Sequence, residues 1–323
     1  MLLRRGIGLG VRPLIGRRFY SADLKAKGPW IQTDFMSPTH AEYLDASLEG
    51  YLPVGRVSRL IGEEAPPGYH LIYFNPKNGE HTLSGDGYES HQSPGTEYPN
   101  RMWVGGSVEF NLESELRLGL PSTATETVSD VKQSQSDPGK LTVTIDRKMK
   151  NKEETTHEWS VRELRSLIYF TKQSGDRTNV FDRFLKPRSS DPAHSHTLCP
   201  STLLLFRYSA LTFNSHKIHF DREYATQTEN LPDVVVHGPL MVTLLLRWMS
   251  TSVLGHLENV RIKSFSYKNL LPMFVNNNLT LCSGPVENGV KYVDVWIQDH
   301  RGSMSLSGTI ELAKVEDHPD TSI

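Results

Sequence analysis

The segment from Gly238 to Met249, Gly-Pro-Leu-Met-Val-Thr-Leu-Leu-Leu-Arg-Trp-Met, constrains this chain more than any other. Read as a helix, it puts Leu240, Met241, Leu244, Leu245 and Trp248 on one stripe, while Val242 and Leu246 lie off it. A helix that is apolar nearly all round has no face for water and must be enclosed. It falls short of the roughly 18 residues a membrane span needs, and Arg247 interrupts it. The chain after it supplies material for an enclosure. Val260–Tyr267, Leu279–Cys282, Tyr292–Gln298 and Met304–Leu312 read as strands, and Val293–Gln298 and Met304–Ser307 alternate with period two. One buried helix followed by several antiparallel strands describes a helix wrapped by a curled sheet.

The first half is less regular. Thr39–Leu48 reads as a helix started by Ser37-Pro38. Pro66-Pro67-Gly68 breaks the chain, and the aromatic-rich Tyr69–Phe74 reads as a strand. Asn75 to Asn100 is rich in Gly, Ser, His and Pro without period, and reads as a long loop. Asp137-Pro138-Gly139 is a turn leading into the strand Leu141–Ile145, and Leu164–Phe170 is a further strand. Polar, punctuated sequence from Thr171 to Pro200 reads as a linker. The expected organisation is therefore a leader over 1–22, a first half over 23–170, a linker over 171–200, a second half over 201–315 and a tail over 316–323. Each half runs from helix or loop into strands, which is the order a duplication leaves.

Composition narrows the function. The 323 residues are 37% hydrophobic and 22% charged, as in ordinary globular proteins. Lys plus Arg number 35 against Asp plus Glu 37, which argues against nucleic acid held by bulk electrostatics. Two isolated cysteines, Cys199 and Cys282, make neither a disulfide framework nor a zinc site. Residues 1–22 carry Arg4, Arg5, Arg12, Arg17 and Arg18 among apolar groups and no acidic residue, the composition of a mitochondrial transit peptide. The expected location is the mitochondrial matrix.

Reactive side chains are densest from Asn214 to Asp221, Asn-Ser-His-Lys-Ile-His-Phe-Asp, followed by His237-Gly238-Pro239 at the entrance of the buried helix. An imidazole suits proton abstraction beside a carbonyl near neutral pH. A developing enolate needs donors, and a helix N-terminus offers free N–H groups and a favourable dipole. Pro239 has no N–H, which leaves Gly238 as the donor. His219 is thus the candidate base and Gly238 the candidate oxyanion donor. The plainer readings are a loop histidine at 219, a structural role for His216, packing for His237, and an N-cap for Asp221. The spacing of His216, His219 and Asp221 is also compatible with a metal, but the dehydration chemistry needs none and no further ligand cluster follows.

These motifs resemble the R-specific enoyl-thioester hydratase/dehydratase family, the MaoC-like hotdog enzymes. That family's loop has Asp, Asn and His where this chain has Asn214, His216 and His219. Arg101-Met102-Trp103-Val104-Gly105-Gly106, with Tyr73-Phe74, is similar to a sub-branch with two fused halves that includes mitochondrial 3-hydroxyacyl-thioester dehydratases and mesaconyl-CoA hydratases. The resemblance implies an α+β double hotdog, each unit a central helix wrapped by a curled antiparallel sheet. It implies a hydro-lyase acting on (3R)-hydroxyacyl thioesters in mitochondrial fatty acid synthesis, with acyl carrier protein or CoA as carrier and no cofactor or metal. A short-chain or dicarboxylic enoyl-CoA hydratase, and an inactive acyl-binding protein, are the alternatives, the last motivated by Asn214. The catalytic set is His219, Asn214 and Gly238, supported by His216, Asp221 and His237, with Asn214 holding the leaving hydroxyl or attacking water by its amide. Trp103 takes the place of His237 in the first half, which is then non-catalytic and builds the acyl tunnel. A monomer of fused halves or a homodimer both fit.

Overall fold

Enclosure of the apolar helix is achieved by both halves of the chain together. The computed structural model describes residues 23–53, 58–171, 181–287 and 289–315, so the leader and the tail lie outside the described residues. Helix α3, Gly238–Trp248, is buried at every position from Leu240 to Trp248. The arginine that interrupts its apolar run is accounted for by an ionic cluster. Asp45 of helix α1, Pro38–Leu48, receives Arg59 Nε at 2.7 Å and Nη2 at 3.0 Å, with Arg247 Nη2 at 3.5 Å and the Tyr69 hydroxyl on the same carboxylate. Buried charges persist when every member is partnered, and this cluster locks α1 of the first half to α3 of the second.

Among the described residues the sheet has ten strands, in the order β1-β3-β4-β5-β2-β7-β10-β9-β8-β6. In chain order these are β1 Trp30–Phe35, β2 Asn100–Phe110, β3 Pro121–Gln133, β4 Lys140–Asn151, β5 Val161–Phe170, β6 His194–Leu198, β7 Val260–Asn269, β8 Leu279–Ser283, β9 Tyr292–Gln298 and β10 Met304–Lys314. The order is palindromic. Each strand of one half has a counterpart at the same distance from the β2–β7 seam, where Ser107 pairs with Ser266 and Val108 with Phe265. Helix α2, Thr202–Leu211, likewise answers α1, its N-cap Ser201 accepting from the Leu204 N–H. This is a double hotdog, and both halves contribute to one continuous sheet. No described helix is long and apolar enough to cross a membrane.

Gly105 and Gly106 explain the seam. A Cβ on Gly105 would stand 2.4 Å from the Tyr267 carbonyl oxygen of β7, and one on Gly106 2.0 Å from the Leu164 oxygen of β5. Only glycines let β2 be squeezed between its two neighbours. A register shift falls between Trp103 and Gly105, and the Trp103 Nε1–H donates to the Gly105 carbonyl at 3.1 Å.

Two expectations need correction. Tyr69–Phe74 is no strand: Tyr69–Ile72 forms a single 3-10 turn, buried at all four residues. Its aromatic and aliphatic groups are enclosed on every side against α3, so burial rather than sheet pairing selected them. The turn occupies the place that α3 holds in the second half. The linker ends early, because His194–Leu198 is edge strand β6, paired with β8 from His194↔Ser283 to Leu198↔Leu279. Its outward polar residues hid it; residues 172–180 of the expected linker lie outside the described ones. The long strand β3 was hidden for a related reason, since its inward residues include Ser122, Ala124 and Glu126, not a run of large apolar groups. Glu126 is tolerated inside because Arg147, which also binds Glu163, donates to it.

Beside that network His70 is 2% exposed, and neither ring nitrogen has a hydrogen-bond partner. Burial, helped by the charges of Arg147 and Arg165, pushes it down to about 4. The unfolded chain therefore binds a proton at His70 that the folded chain refuses between pH 6.5 and 4, so this contribution to stability is present above pH 6.5 and lost as pH falls. From pH 7 to pH 5 the loss is about 2 kcal/mol. His70→Phe, which packs on Phe110 without unsatisfied nitrogens, is expected to fold and to show a shallower fall of Tm over that interval. Parallel Tm–pH curves for parent and variant would show that His70 is not buried as the neutral ring.

Candidate active site

Helix α2 ends where Phe213 adopts a positive φ of 50° and the Asn214 N–H turns back to the Ser209 carbonyl at 2.8 Å. The Asn214 side chain then shapes the following loop, its Oδ1 accepting the His216 N–H at 3.0 Å. The loop is tied to the approach of α3 by the Val235 N–H on the Ile218 carbonyl at 2.9 Å and by His219 Nδ1 on the Val235 carbonyl at 2.8 Å. His237 is the residue before α3. Its Nε2 lies 2.8 Å from the Ser209 hydroxyl, and its ring stacks on His219 with centroids 3.8 Å apart and planes 20° from parallel. His216 meets His219 edge to face at 5.4 Å and 89°. Three imidazoles thus surround the N-terminus of α3, where Gly238 begins the helix and the first-turn N–H groups have no carbonyl behind them.

The carbonyl facing His219 Nδ1 fixes the tautomer. An oxygen acceptor requires a proton on Nδ1, so Nε2 keeps its lone pair. Burial, then the nearby His237 and His216, pull the His219 pKa well below its ordinary value, and the Val235 bond only partly opposes this. His237 is fully buried and pushed down to about 3 by burial and by His216. His216 is lowered by burial against the pull of Asp86. All three rings are neutral bases near neutral pH.

These side chains line one cavity of about 280 Å³, near the lower end for small-molecule sites. Asn214, His216, His219, His237 and Gly238 all reach it. Asp221 does not; it caps the following helical turn, accepting the Tyr224 N–H at 2.9 Å, so its candidacy as a catalytic group is withdrawn. Asn214 Oδ1 spends one lone pair on the loop, which leaves its second lone pair and Nδ2 for the water expected there. The expected equivalence of Trp103 and His237 also fails: Trp103 is on β2, the counterpart of β7, and not at a helix entrance. Its backbone oxygen accepts from Asn269 Nδ2 at 3.0 Å, and Arg165 lies 4.3 Å over its indole. A Cβ on Gly238 would come within 3.8 Å of Trp103, so the first half closes the cavity directly over the helix terminus.

Sequence reasoning missed Asp86. It comes from the first half's aperiodic loop, and its Oδ2 lies 3.2 Å from His216 Nε2 and 3.0 Å from Arg101 Nη1. Burial alone would raise this carboxyl, but His216, Arg101 and the Ser84 hydroxyl hold it well below the usual range. A lone acid in an irregular segment gives no periodic signal, and only Arg101, in its motif, pointed to this region. Among the described residues no group of His, Cys, Asp and Glu is arranged to hold a metal ion.

Comparison with known proteins places this geometry. The family model for hydroxyacyl-thioester dehydratase type 2 matches residues 68–275. A mitochondrial hydroxyacyl-thioester dehydratase type 2 of Schizosaccharomyces pombe is 31% identical, over 82% of this chain and 93% of its own length. A mesaconyl-C(4)-CoA hydratase of Chloroflexus aurantiacus is 32% identical, over 76% of this chain and 83% of its own. The crystal structure of a MaoC-like dehydratase from Phytophthora capsici superposes with a TM-score of 0.64, covering 91% of this chain and 99% of that one at 13% identity, a likeness of fold.

The tautomer and charge assigned to His219 are open to direct measurement. In a pH titration followed by NMR of ¹⁵N-labelled histidines, His219 should show a protonated Nδ1 and a midpoint well below the ordinary imidazole range, because burial and two neighbouring imidazoles depress it. A midpoint at or above about 6.5, the unperturbed value, would mean that the ring is not enclosed as described.

Proposed function

This chain belongs to the hydroxyacyl-thioester dehydratase type 2 family, and we propose that it interconverts (3R)-hydroxyacyl and trans-2-enoyl thioesters by loss or gain of water at the α3 N-terminus. One observation carries the reading: His219, whose Nδ1 is taken by the Val235 carbonyl, and Gly238, the first residue of α3, line the same cavity. In dehydration Nε2 takes the C2 proton. The electron pair moves toward the thioester oxygen, where the Gly238 N–H and the positive end of the helix stabilise the enolate. When the enolate collapses, C2=C3 forms and the C3–O bond breaks. The departing oxygen takes the proton from Nε2, leaving as water and returning His219 to its neutral form. A single neutral base therefore completes the cycle, and the depressed pKa of His219 keeps that base free at neutral pH.

The same proposal extends to carrier and location. The arginine-rich, acid-free stretch 1–22 and the mitochondrial relative in fission yeast support residence in the mitochondrial matrix and a place in fatty acid synthesis, with acyl carrier protein or CoA presenting the acyl group. Asn214 enters this scheme through the loop it braces, and through Nδ2 toward the water.

Hydration of crotonyl-CoA, followed by loss of enoyl-thioester absorbance, tests the reading. The parent protein is expected to turn over and His219→Ala to lose about 10²–10⁴-fold in kcat with unchanged circular dichroism. A parent without turnover would make this an acyl-binding protein. A variant keeping more than about a tenth of parent activity, under 1.4 kcal/mol of barrier, would remove His219 as the base.

A further inference from the structure

The family resemblance left a gap: where related enzymes carry an Asp, this chain has Asn214, an amide that cannot supply charge. A carboxylate is nonetheless present. Asp86 arrives from the first half and meets the second imidazole of the loop, His216, at 3.2 Å. Its loop is fastened to the catalytic loop at several points. The Lys217 N–H donates to the Asp86 carbonyl at 2.9 Å, the Ser215 hydroxyl to the Gly87 carbonyl at 2.7 Å, and Lys217 Nζ to the Gly85 carbonyl at 3.0 Å. Gly87 has a φ of +81°, and a Cβ there would stand 2.1 Å from the Ser215 carbonyl oxygen. Glycine is thus required both for the conformation and for the approach of the two loops. The carboxylate is held in turn by Arg101, which stacks on Tyr88 at 3.3 Å, and by the Ser84 hydroxyl.

We propose that Asp86 is the carboxylate of this active site, a positioning residue supplied across the seam that acts through His216 on the substrate's 3-hydroxyl. The inference rests on the dehydratase reading above. A carboxylate accepts and does not donate, so the His216 nitrogen facing it, Nε2, must carry the proton. The lone pair is then confined to Nδ1. His216 lines the cavity while Asp86 stands behind it, so the ring offers the cavity an acceptor of fixed identity. That acceptor takes a hydrogen bond from the 3-hydroxyl, and from the water it becomes, while His219 moves the proton. In hydration the same bond orients the attacking water: one O–H points to His216 Nδ1, and the other gives its proton to His219 Nε2, which passes it to C2. No proton is left over. The base–orienter arrangement is the general logic of an activated imidazole held by a third group, with the members drawn from two halves of a fused fold. Of the other groups around His216, Tyr88 and His219 present ring edges or faces, Arg101 is cationic, and Glu229, whose charge also reaches the ring, accepts from the Tyr224 hydroxyl at 2.9 Å, whereas Asp86 bonds the ring directly.

The test is a set of variants assayed by crotonyl-CoA hydration, with ¹⁵N shifts reporting the His216 tautomer. Asp86→Asn should cut kcat on the order of 10²-fold with KM changed less than about threefold, and should convert His216 from a pure Nε2–H form to a mixture. Adding Asn214→Asp, which restores a carboxylate to the family's position, should recover at least tenfold of the lost kcat. His216→Phe should lose as much as Asp86→Asn, and Asp86→Asn should cost nothing further on that background, since residues acting as one unit are non-additive. The inference is overturned if Asp86→Asn keeps kcat within about threefold of the parent, or if His216→Phe does. It is equally overturned if kcat falls while the tautomer stays fixed and Asn214→Asp restores nothing, because Asp86 then only braces the loop. An inactive parent would instead sink the dehydratase reading itself, a result distinguishable because it appears before any variant is made. Should Asp86→Asn fail to fold, His216→Phe decides the matter alone, since it leaves the Asp86–Arg101 pair intact.

Discussion

Everything in this protein follows from a helix that has no polar side. α3 cannot be covered by the curl of one five-stranded half, so chain from the other half closes over it. Gly68 comes close enough that a Cβ would touch the Thr243 Cα at 3.1 Å, and Arg247 is neutralised by Asp45 on α1. Buried apolar area at roughly 25 cal/mol per Å² drives that closure, and the ionic cluster fixes its register, because a buried guanidinium with no carboxylate would be costly. The price of the arrangement is that neither half can be removed without exposing α3.

The location of the site is a consequence of the same enclosure. A buried helix brings its N-terminus into a water-poor region, where unpaired N–H groups and the dipole act at a lower effective dielectric than at a surface. The three imidazoles gathered there are neutral for the same reason: burial is the largest cause lowering each of them. One physical condition therefore acts on both the helix terminus and the imidazoles, and the Val235 carbonyl then decides which nitrogen of His219 is free.

Legibility in the sequence divided along the same line. The second half was readable because its helix is uniformly apolar and its strands alternate: Tyr292–Gln298 was bounded as observed, and Val260, Leu279 and Met304 each began a strand as expected. His216, His219, His237 and Gly238 were readable because they are adjacent in sequence to that helix or to one another. The first half resisted. β3 buries small and charged residues, Tyr69–Ile72 looked like a strand because enclosure on all sides selects the same residue types, and β6 is too short and polar to stand out. Asp86 was beyond reach, since its meaning comes from a contact between loops of different halves. Asn214 marked the gap in the catalytic loop without showing what fills it.

The asymmetry between halves then has a physical reading. The palindromic sheet gives both halves equivalent strands, yet among the described residues only the second has a full helix at its centre; the first has a single 3-10 turn, Tyr69–Ile72. One turn aligns too few peptide dipoles to make an appreciable positive end. The strands and loops of the first half instead reach across the seam. Trp103 stands against the other half's helix terminus, Arg101 lines the cavity, Asp86 stands behind His216 of the other half, and the cavity is closed by residues from both. A palindromic sheet with one central helix in this way has a second source of side chains around the end of that helix, and under the proposed role of Asp86 a carboxylate need not come from the loop that carries Asn214.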